Sequence, residues 1–404
     1  MKKYIILILV FCILSTLIYA QNVDEKQRFT IHGKFIGEKT KVLWLMYTDE
    51  NKKFHEDTCC VKNGIFTFSG LISEPTVAEF HNTNEYAVTS GYNVNGPYSK
   101  QTFLEPGVIK VILTDGKFKD AIITGSHTQW ESDQLMKLQQ PINKEIDSLM
   151  AVVRNISKPK SETTDQLALE INKNEKLRSN AMMKKFNISV DFVNTHPDSY
   201  LSPNELIKFQ YPLSYDRIKL LYNQLNPSIK NSRDGISVAQ IIQRKENALV
   251  GKYASDFKSI DVNGNPVSLS SFRDKSMVLL SFWNNMYRDC KEMNLHLKEV
   301  YNKYHSKGFD IISIAKDPKD VWLKALKQDS LLDLWHQIRI FNGLNTGLPT
   351  EDNLFIKYDM SFQPVLLLVN KEGKIVGRWD TQRTKEKEIE LELDRKLAEL
   401  IKLD

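Results

Sequence analysis

The sequence predicts an α+β multidomain chain: an N-terminal β-sandwich, a helical middle segment and a C-terminal α/β domain. Three patterns carry that prediction. Between residues 28 and 125 apolar and polar residues alternate in short runs broken by turn residues. From Gln129 the apolar spacing becomes helical. After residue 250, continuous apolar runs alternate with helical patterns. Alternation marks half-buried strands, and spacings of three and four mark amphipathic helices. Continuous apolar runs mark strands covered on both faces. A chain of 404 residues, 41% hydrophobic and 26% charged, has material for two or three cores. That balance excludes a collagen-like, low-complexity or disordered polymer.

Residues 1–20 read as an export signal. Lys2 and Lys3 form a basic start, Tyr4 to Tyr19 is almost wholly apolar, and Ala20 precedes a polar stretch. Cleavage after Ala20 puts Ile18 and Ala20 at the −3 and −1 positions. The apolar run is at the short end for a membrane span, and Phe11 before Cys12 is too bulky for a usual lipoprotein signal. Net charge is +5, and loss of Lys2 and Lys3 takes it to +3. That charge on so long a chain does not support nucleic-acid binding.

Residues 28–125 are expected to form the sandwich. Phe29–Phe35 alternates, and Lys41–Tyr47 does so approximately. Asn63-Gly64 separates Thr58–Val61 from Ile65–Phe68, a strong hairpin signal because a type I′ turn needs positive φ twice. Glu105-Pro106-Gly107 forms a second turn, and the stretch Asn82–Lys100 reads as a long loop. Residues 126–246 are expected to be helical. Trp130, Leu135, Leu138, Ile142, Ile146, Leu149 and Val153 share one spacing, Ser157–Thr164 breaks it, and a second helix covers Asp165–Asn194. Ser202-Pro203 predicts an N-cap followed by proline at the first helical position. Met182, Met183 and Phe186 read as core residues.

Residues 250–404 follow the order β-α-β-α-β-β-α. Met277–Trp283, Phe309–Ala315 and Val365–Val369 are buried strands. Lys291–Lys307, Pro318–Gln328 and Glu386–Leu403 are helices, and Lys374–Trp379 is a hairpin partner strand. A parallel pair with a crossover helix, followed by a hairpin, gives a mixed sheet covered by helices.

This order, together with Val250–Phe257, Asp261-Val-Asn-Gly264, Val267–Lys275, Val278–Trp283, Lys307–Ile314 and Gln363-Pro364-Val365, resembles the thioredoxin fold. The branch it resembles is the exported TlpA/ResA-like one. The whole plan is similar to that of Bacteroidota envelope proteins: a signal peptide, a small β-domain of unknown function, a helical segment and a thioredoxin-like domain. The resemblance implies thiol-disulfide chemistry through Cys-x-x-Cys where the first strand meets its helix. Unpaired N–H groups and the positive dipole end at a helix start lower a thiol pKa. The second sulfur, one turn on, resolves the mixed disulfide.

Here the stretch reads Trp283-Asn-Asn-Met-Tyr-Arg-Asp-Cys290. Counted from the strand, Tyr287 takes the nucleophile position and Cys290 the resolving one. Counted from the helix, Met286 and Asp289 fall there. Under either count the nucleophilic cysteine is missing, and a phenol, with a pKa near 10, forms no disulfide. The family often places a carboxylate before the Asp-x-x-Gly turn, and that position is Ile260 here. By the same resemblance, Gln363-Pro364 corresponds to the cis-proline whose preceding residue presents backbone to an extended peptide. Trp283, Gln363 and Pro364 are therefore the expected substrate-binding residues.

Three readings follow. The first is a non-redox module that binds a polypeptide or an envelope protein. The second is a monothiol oxidoreductase through Cys290, with Arg288 and Lys291 lowering its pKa against Asp289. The third pairs Cys290 with Cys59 or Cys60, which requires Cα atoms within about 7 Å. His296 and His305, nine residues apart, share no metal-binding face, and Trp322 and Trp335 read as packing residues. With no phosphate loop, zinc-type spacing or Ser-His-Asp elbow, no cofactor and no metal is expected. Peripheral membrane association remains among the expected partner interactions.

Overall fold

A computed structural model describes residues 26–49, 51–82, 96–156, 164–340, 353–360, 363–381 and 384–401. The export signal and most of the expected Asn82–Lys100 loop lie outside the described residues. The chain divides into two compact units. Unit one comprises residues 1–209 and 221–236, and unit two comprises 210–220 and 237–404.

Unit one holds a β-sandwich. One sheet runs β4 (Ile65–Ile72), β1 (Gln27–Ile36), β7 (Gly107–Thr114), β8 (Ile122–Thr124). The other runs β3 (Phe54–Cys60), β2 (Val42–Thr48), β5 (Thr76–His81), β6 (Ser99–Leu104). Their inner faces share one core built on Phe29, Ile31, Leu43, Leu45, Phe66 and Phe80. Alternation produces this directly, because each inward residue of β1 is followed by an outward one.

Asn63 and Gly64 both take positive φ, as the turn signal requires. The strands they join are not hairpin partners, however. Only Lys62 and Ile65 bridge. β3 then pairs with β2, while β4 pairs with β1 in the opposite sheet. Phe66, Phe68 and Ile72 need the core, and β3, with no fully buried residue, suits an edge. The Glu105–Gly107 turn likewise crosses between sheets. The long-loop expectation also ends early, since Ser99 and Lys100 open β6.

Helices α1 (His127–Ile156) and α2 (Thr164–Thr195) follow, then α3 (Leu201–Lys208), α4 (Tyr215–Gln224), α5 (Pro227–Asn231) and α6 (Arg233–Asn247). The expected Ser202 cap is not used. Helix α3 starts two residues earlier, with Tyr200 at its N-cap. The Ser199 hydroxyl takes the Leu201 N–H, while the Ser202 hydroxyl donates to the His196 carbonyl. The preceding turn thus supplies the acceptor that Ser202 was expected to provide.

Unit two contains a five-stranded sheet in the order β13 (His336–Arg339), β12 (Phe309–Ala315), β11 (Met277–Trp283), β14 (Val365–Val369), β15 (Ile375–Asp380). β11 is parallel to β12 and antiparallel to β14. Helices α7 (Arg288–Tyr304), α8 (Lys319–Gln328) and α10 (Glu386–Ile401) supply Leu297, Leu326 and Leu393 to one face, against Leu279, Ile311 and Leu368. Short α9 (Leu354–Lys357), with Phe257 and Tyr358, covers the other face over Leu280, Ile312 and Leu367. Trp322 and Trp335 are buried packing residues.

Two features escaped the periodicity. A three-residue hairpin of β9 (Lys258–Ile260) and β10 (Pro266–Ser268) flanks the Asp261–Gly264 turn. Edge strand β13 has no continuous apolar run and, among the described residues, pairs only with β12. Short or one-sided strands carry too few residues to show a period.

Candidate functional site

The site is built where three strands end together. The C-terminal end of β11 lies beside that of parallel β12, since Trp283 pairs with Ala315. It also lies beside the N-terminal end of antiparallel β14, since Phe282 pairs with Val365. The turn after β11, the Lys316-Asp317 segment after β12 and Pro364 before β14 therefore share one end of the sheet. The Gln363–Pro364 bond is cis. Pro364 is buried and Gln363 half-buried.

The turn after β11 is held by its own polar atoms. The Asn284 carboxamide oxygen accepts the Met286 N–H at 2.8 Å. The Asn285 N–H donates to the Asp317 carboxylate at 3.1 and 3.3 Å. Tyr287 then forms the N-cap of α7 with extended backbone and no side-chain cap. Tyr287 stands at the helix start and Cys290 three residues on, its N–H on the Tyr287 carbonyl at 3.2 Å. Tyr287 is 49% exposed, beside an even more exposed Met286. The start of α7 thus presents a phenol and a thioether to solvent.

Cys290 is fully buried at 0% exposure, within the core of Trp283, Met293 and Leu297. Burial pushes its thiol up to about 12, and the Asp289, Asp317 and Glu386 carboxylates push the same way. A backbone hydrogen bond with Asn284 pulls in the opposite direction. This corrects the expectation that Arg288 and Lys291 would activate Cys290. Arg288 points outward and pairs with Asp289 at 3.8 Å and Glu292 at 3.6 Å. The carboxylates near the thiol outnumber any cation that reaches it.

Trp283 also needs correction as a substrate-binding residue. At 1% exposure it is core, because β11 is covered on both faces and every residue in it is buried. Its indole Nε1 finds no acceptor among the described residues. Ile260 is exposed on β9, so no carboxylate stands there. Asp261 is instead a structural acid. Burial raises its pKa, but hydrogen bonds from Asn265, His336 and Asn263 outweigh that and hold it below the usual carboxylate range. His336 Nδ1 lies 3.0 Å from Asp261.

The three other cysteines divide as follows. Cys12 lies outside the described residues. Cys59 is partly buried and Cys60 exposed, both as free thiols like Cys290, because successive strand residues face opposite sides. His296 packs against α10 and pairs with Asp394 at 3.2 Å.

Two acids near the motif were not singled out from the sequence. Asp317 is buried, which raises its pKa against the Asn285 N–H. Glu386, at the start of α10, is raised to about 7, first by burial and then by Glu292, with which it shares a hydrogen bond. Asp317 follows directly on a strand end, and that position could have flagged it. Glu386 and Glu292 lie 94 residues apart in sequence, and no local pattern links them.

Strand order, the helix set on α7 and the strand-end turn define unit two as a thioredoxin-like α/β domain. Comparison with known proteins agrees. Residues 250–379 match the AhpC/TSA family, and residues 29–131 match DUF4369, a domain of unknown function. Unit two thus carries a thioredoxin-like AhpC/TSA domain. Thiol-disulfide oxidoreductase ResA of Bacillus cereus is 26% identical over 169 residues, covering 42% of this chain and 91% of that protein. ResA of Bacillus subtilis is 27% identical over 134 residues, 33% of this chain and 68% of that one. The thioredoxin domain of a Bacteroides vulgatus thiol-disulfide oxidoreductase is 30% identical, covering 32% of this chain and 87% of that one, with a TM-score of 0.28. Among the described residues no helix is long and apolar enough to cross a membrane.

Proposed function

We propose that this chain is an exported envelope protein whose thioredoxin-like domain binds polypeptide partners without dithiol turnover. The single observation that carries this reading is Tyr287 at the exposed start of α7 with Cys290 buried three residues on. Dithiol exchange needs an accessible thiolate to attack the substrate disulfide. It then needs a second thiolate to attack the mixed disulfide, releasing the reduced substrate and leaving the protein oxidised. A phenol can supply neither sulfur. A monothiol cycle through Cys290 would need a solvent-facing thiolate, and a thiol held near 12 is protonated at neutral pH. The backbone at Gln363, next to Pro364 at the same end of the sheet, is the surface on which an extended peptide would rest. Export is supported by the basic start, apolar run and Ala20 of residues 1–20.

The test is reduction of insulin disulfides by dithiothreitol, followed by turbidity. The wild-type chain should leave the rate at its uncatalysed value. Tyr287→Cys, which restores two sulfurs at the motif, should raise it about tenfold or more. Acceleration by wild-type protein that Cys290→Ser abolishes would overturn the reading in favour of a monothiol enzyme.

A further inference from the structure

The outer face of the β4-β1-β7-β8 sheet in unit one is built from two complete cross-strand rows. In one row Ile65, Lys34, Ile112 and Ile122 stand side by side, each opposite the next. In the adjacent row the order is Thr67, His32, Lys110 and Thr124. The rows continue through Ser69, Thr30 and Val108, then Leu71 and Arg28. Ile36 extends β1 beyond Lys34. The outward positions of the four strands thus carry aliphatic residues, hydroxyls and four basic groups, and no Asp or Glu. Ile65 and Ile122 are 62% and 59% exposed, and Ile36, Leu71 and Val108 are exposed as well.

This composition is unusual for a face turned only to water. Like charges on neighbouring strands repel, and here no acid on the face offsets them. Among the described residues, none of Arg28, His32, Lys34 or Lys110 forms an ion pair. The aliphatic residues surround Lys34 on both sides instead of lying singly. Lysine stems can lie along such apolar surface while the ammonium reaches outward.

We propose that this face docks on the surface of an anionic phospholipid bilayer. Aliphatic side chains would enter the headgroup boundary, and Lys34, Lys110 and Arg28 would meet lipid phosphates. Charge complementarity selects this occupant, because an acid-free basic face matches a negatively charged surface. The backbone opposes a peptide strand here. β1 and β7, which carry the basic groups, are interior strands paired on both sides, so what they present on this face is side chains, and main-chain groups open to strand addition lie only along the edges of the sheet. The proposal concerns unit one and stands apart from the thiol reading of unit two.

The experiment is vesicle co-sedimentation of the chain beginning at Gln21, the form processing would leave. Vesicles of phosphatidylcholine with one part in three phosphatidylglycerol are compared with phosphatidylcholine alone. Each variant is checked for an unchanged circular dichroism spectrum. The wild type should partition onto the anionic vesicles and lose binding as salt rises. Each charge removed should weaken partitioning about fivefold, so Lys34→Glu with Lys110→Glu should abolish it. Ile65→Ser with Ile122→Ser should weaken it while leaving the charge unchanged. Equal binding to both vesicle types, no binding, or binding that neither double variant alters would overturn the proposal. So would a dimer in light scattering that the isoleucine variant dissolves, since a second copy would then cover the face.

Discussion

A thiol three residues into a helix would ordinarily be drawn down in pKa by the unpaired N–H groups there. Cys290 occupies that position in α7, yet desolvation and three carboxylates carry it up to about 12. Its alkylation by iodoacetamide in the folded chain should be slow from pH 6 to 9, while exposed Cys60 reacts readily. Fast Cys290 labelling with a midpoint below the free-thiol value of about 8.5 would contradict the burial. Replacing Cys290 by Ser places a hydroxyl in an apolar core and should cost about 1–3 kcal/mol, read by denaturant unfolding. In unit one, Asp49 shows the opposite behaviour. His55 lies 3.0 Å from its carboxylate, and the Asn51 and Lys53 N–H groups donate at 3.0 Å each. The His55 contact leads in holding its pKa down to about 2. A depressed acid pKa contributes stability above the unfolded value, which is lost as pH falls through the folded one. Unit one should therefore weaken between about pH 4 and pH 2, and Asp49→Asn should flatten that slope. An unchanged slope in the variant would show that other groups set the acid limit.

At the scale of the element, the contact between α7 and α10 carries a titratable joint. Glu386 opens α10, Glu292 lies one turn into α7, and the two carboxyl groups share a hydrogen bond beside Asp289 and Glu390. Cys290 also faces this joint, and Arg288 pairs with Glu292 from the solvent side. A carboxyl whose pKa rises to about 7 on folding contributes stability at acid pH that is lost as pH climbs from about 4.5 to 7. The Glu386→Gln variant should thus be more stable than wild type at pH 8 and similar to it at pH 5. Thermal unfolding at the two pH values decides this, and equal melting differences at both would remove the shared proton. Strand β1 makes a different demand. A Cβ on Gly33 would lie 2.0–2.3 Å from the Phe66 ring, which is buried in the sandwich core. Gly33→Ala should cost about 1–3 kcal/mol by overpacking. A neutral outcome would mean that Phe66 has somewhere else to go.

At the scale of the whole molecule, each unit has its own core, and unit two has one on each side of its sheet. Leu279 on β11 is fully buried between strand neighbours and helix residues. Leu279→Ala should destabilise unit two by about 2–5 kcal/mol, followed by the fluorescence of Trp283, Trp322, Trp335 and Trp379. A loss below about 1 kcal/mol would show that the site collapses around the missing atoms.

Much of this architecture is legible along the chain. β11, β12 and β14 have the bounds that their apolar runs announce, because a strand covered on both faces leaves few polar positions in its sequence, here Ser281, Asp310 and Ser313. That the stretch from Trp283 to Asp289 holds no cysteine before Cys290 is legible too, since it needs only residue identity. Other features depend on pairing between distant segments. The Asn63-Gly64 turn is local and its conformation is as expected. Whether its flanking strands pair is decided by which of them has large side chains to bury. Where α7 begins was open in sequence, and the structure places its N-cap at Tyr287. Trp283 and Cys290 looked like site residues because they adjoin the motif, but both face the core. The state of Cys290 rests first on its burial and then on carboxylates that include Asp317 and Glu386, 27 and 96 residues further along the chain. Sequence by itself determined the fold class and which side chains stand between β11 and α7, because those follow from composition and order. Only the tertiary structure decided burial and electrostatic surroundings, because both are sums over groups that folding alone brings together.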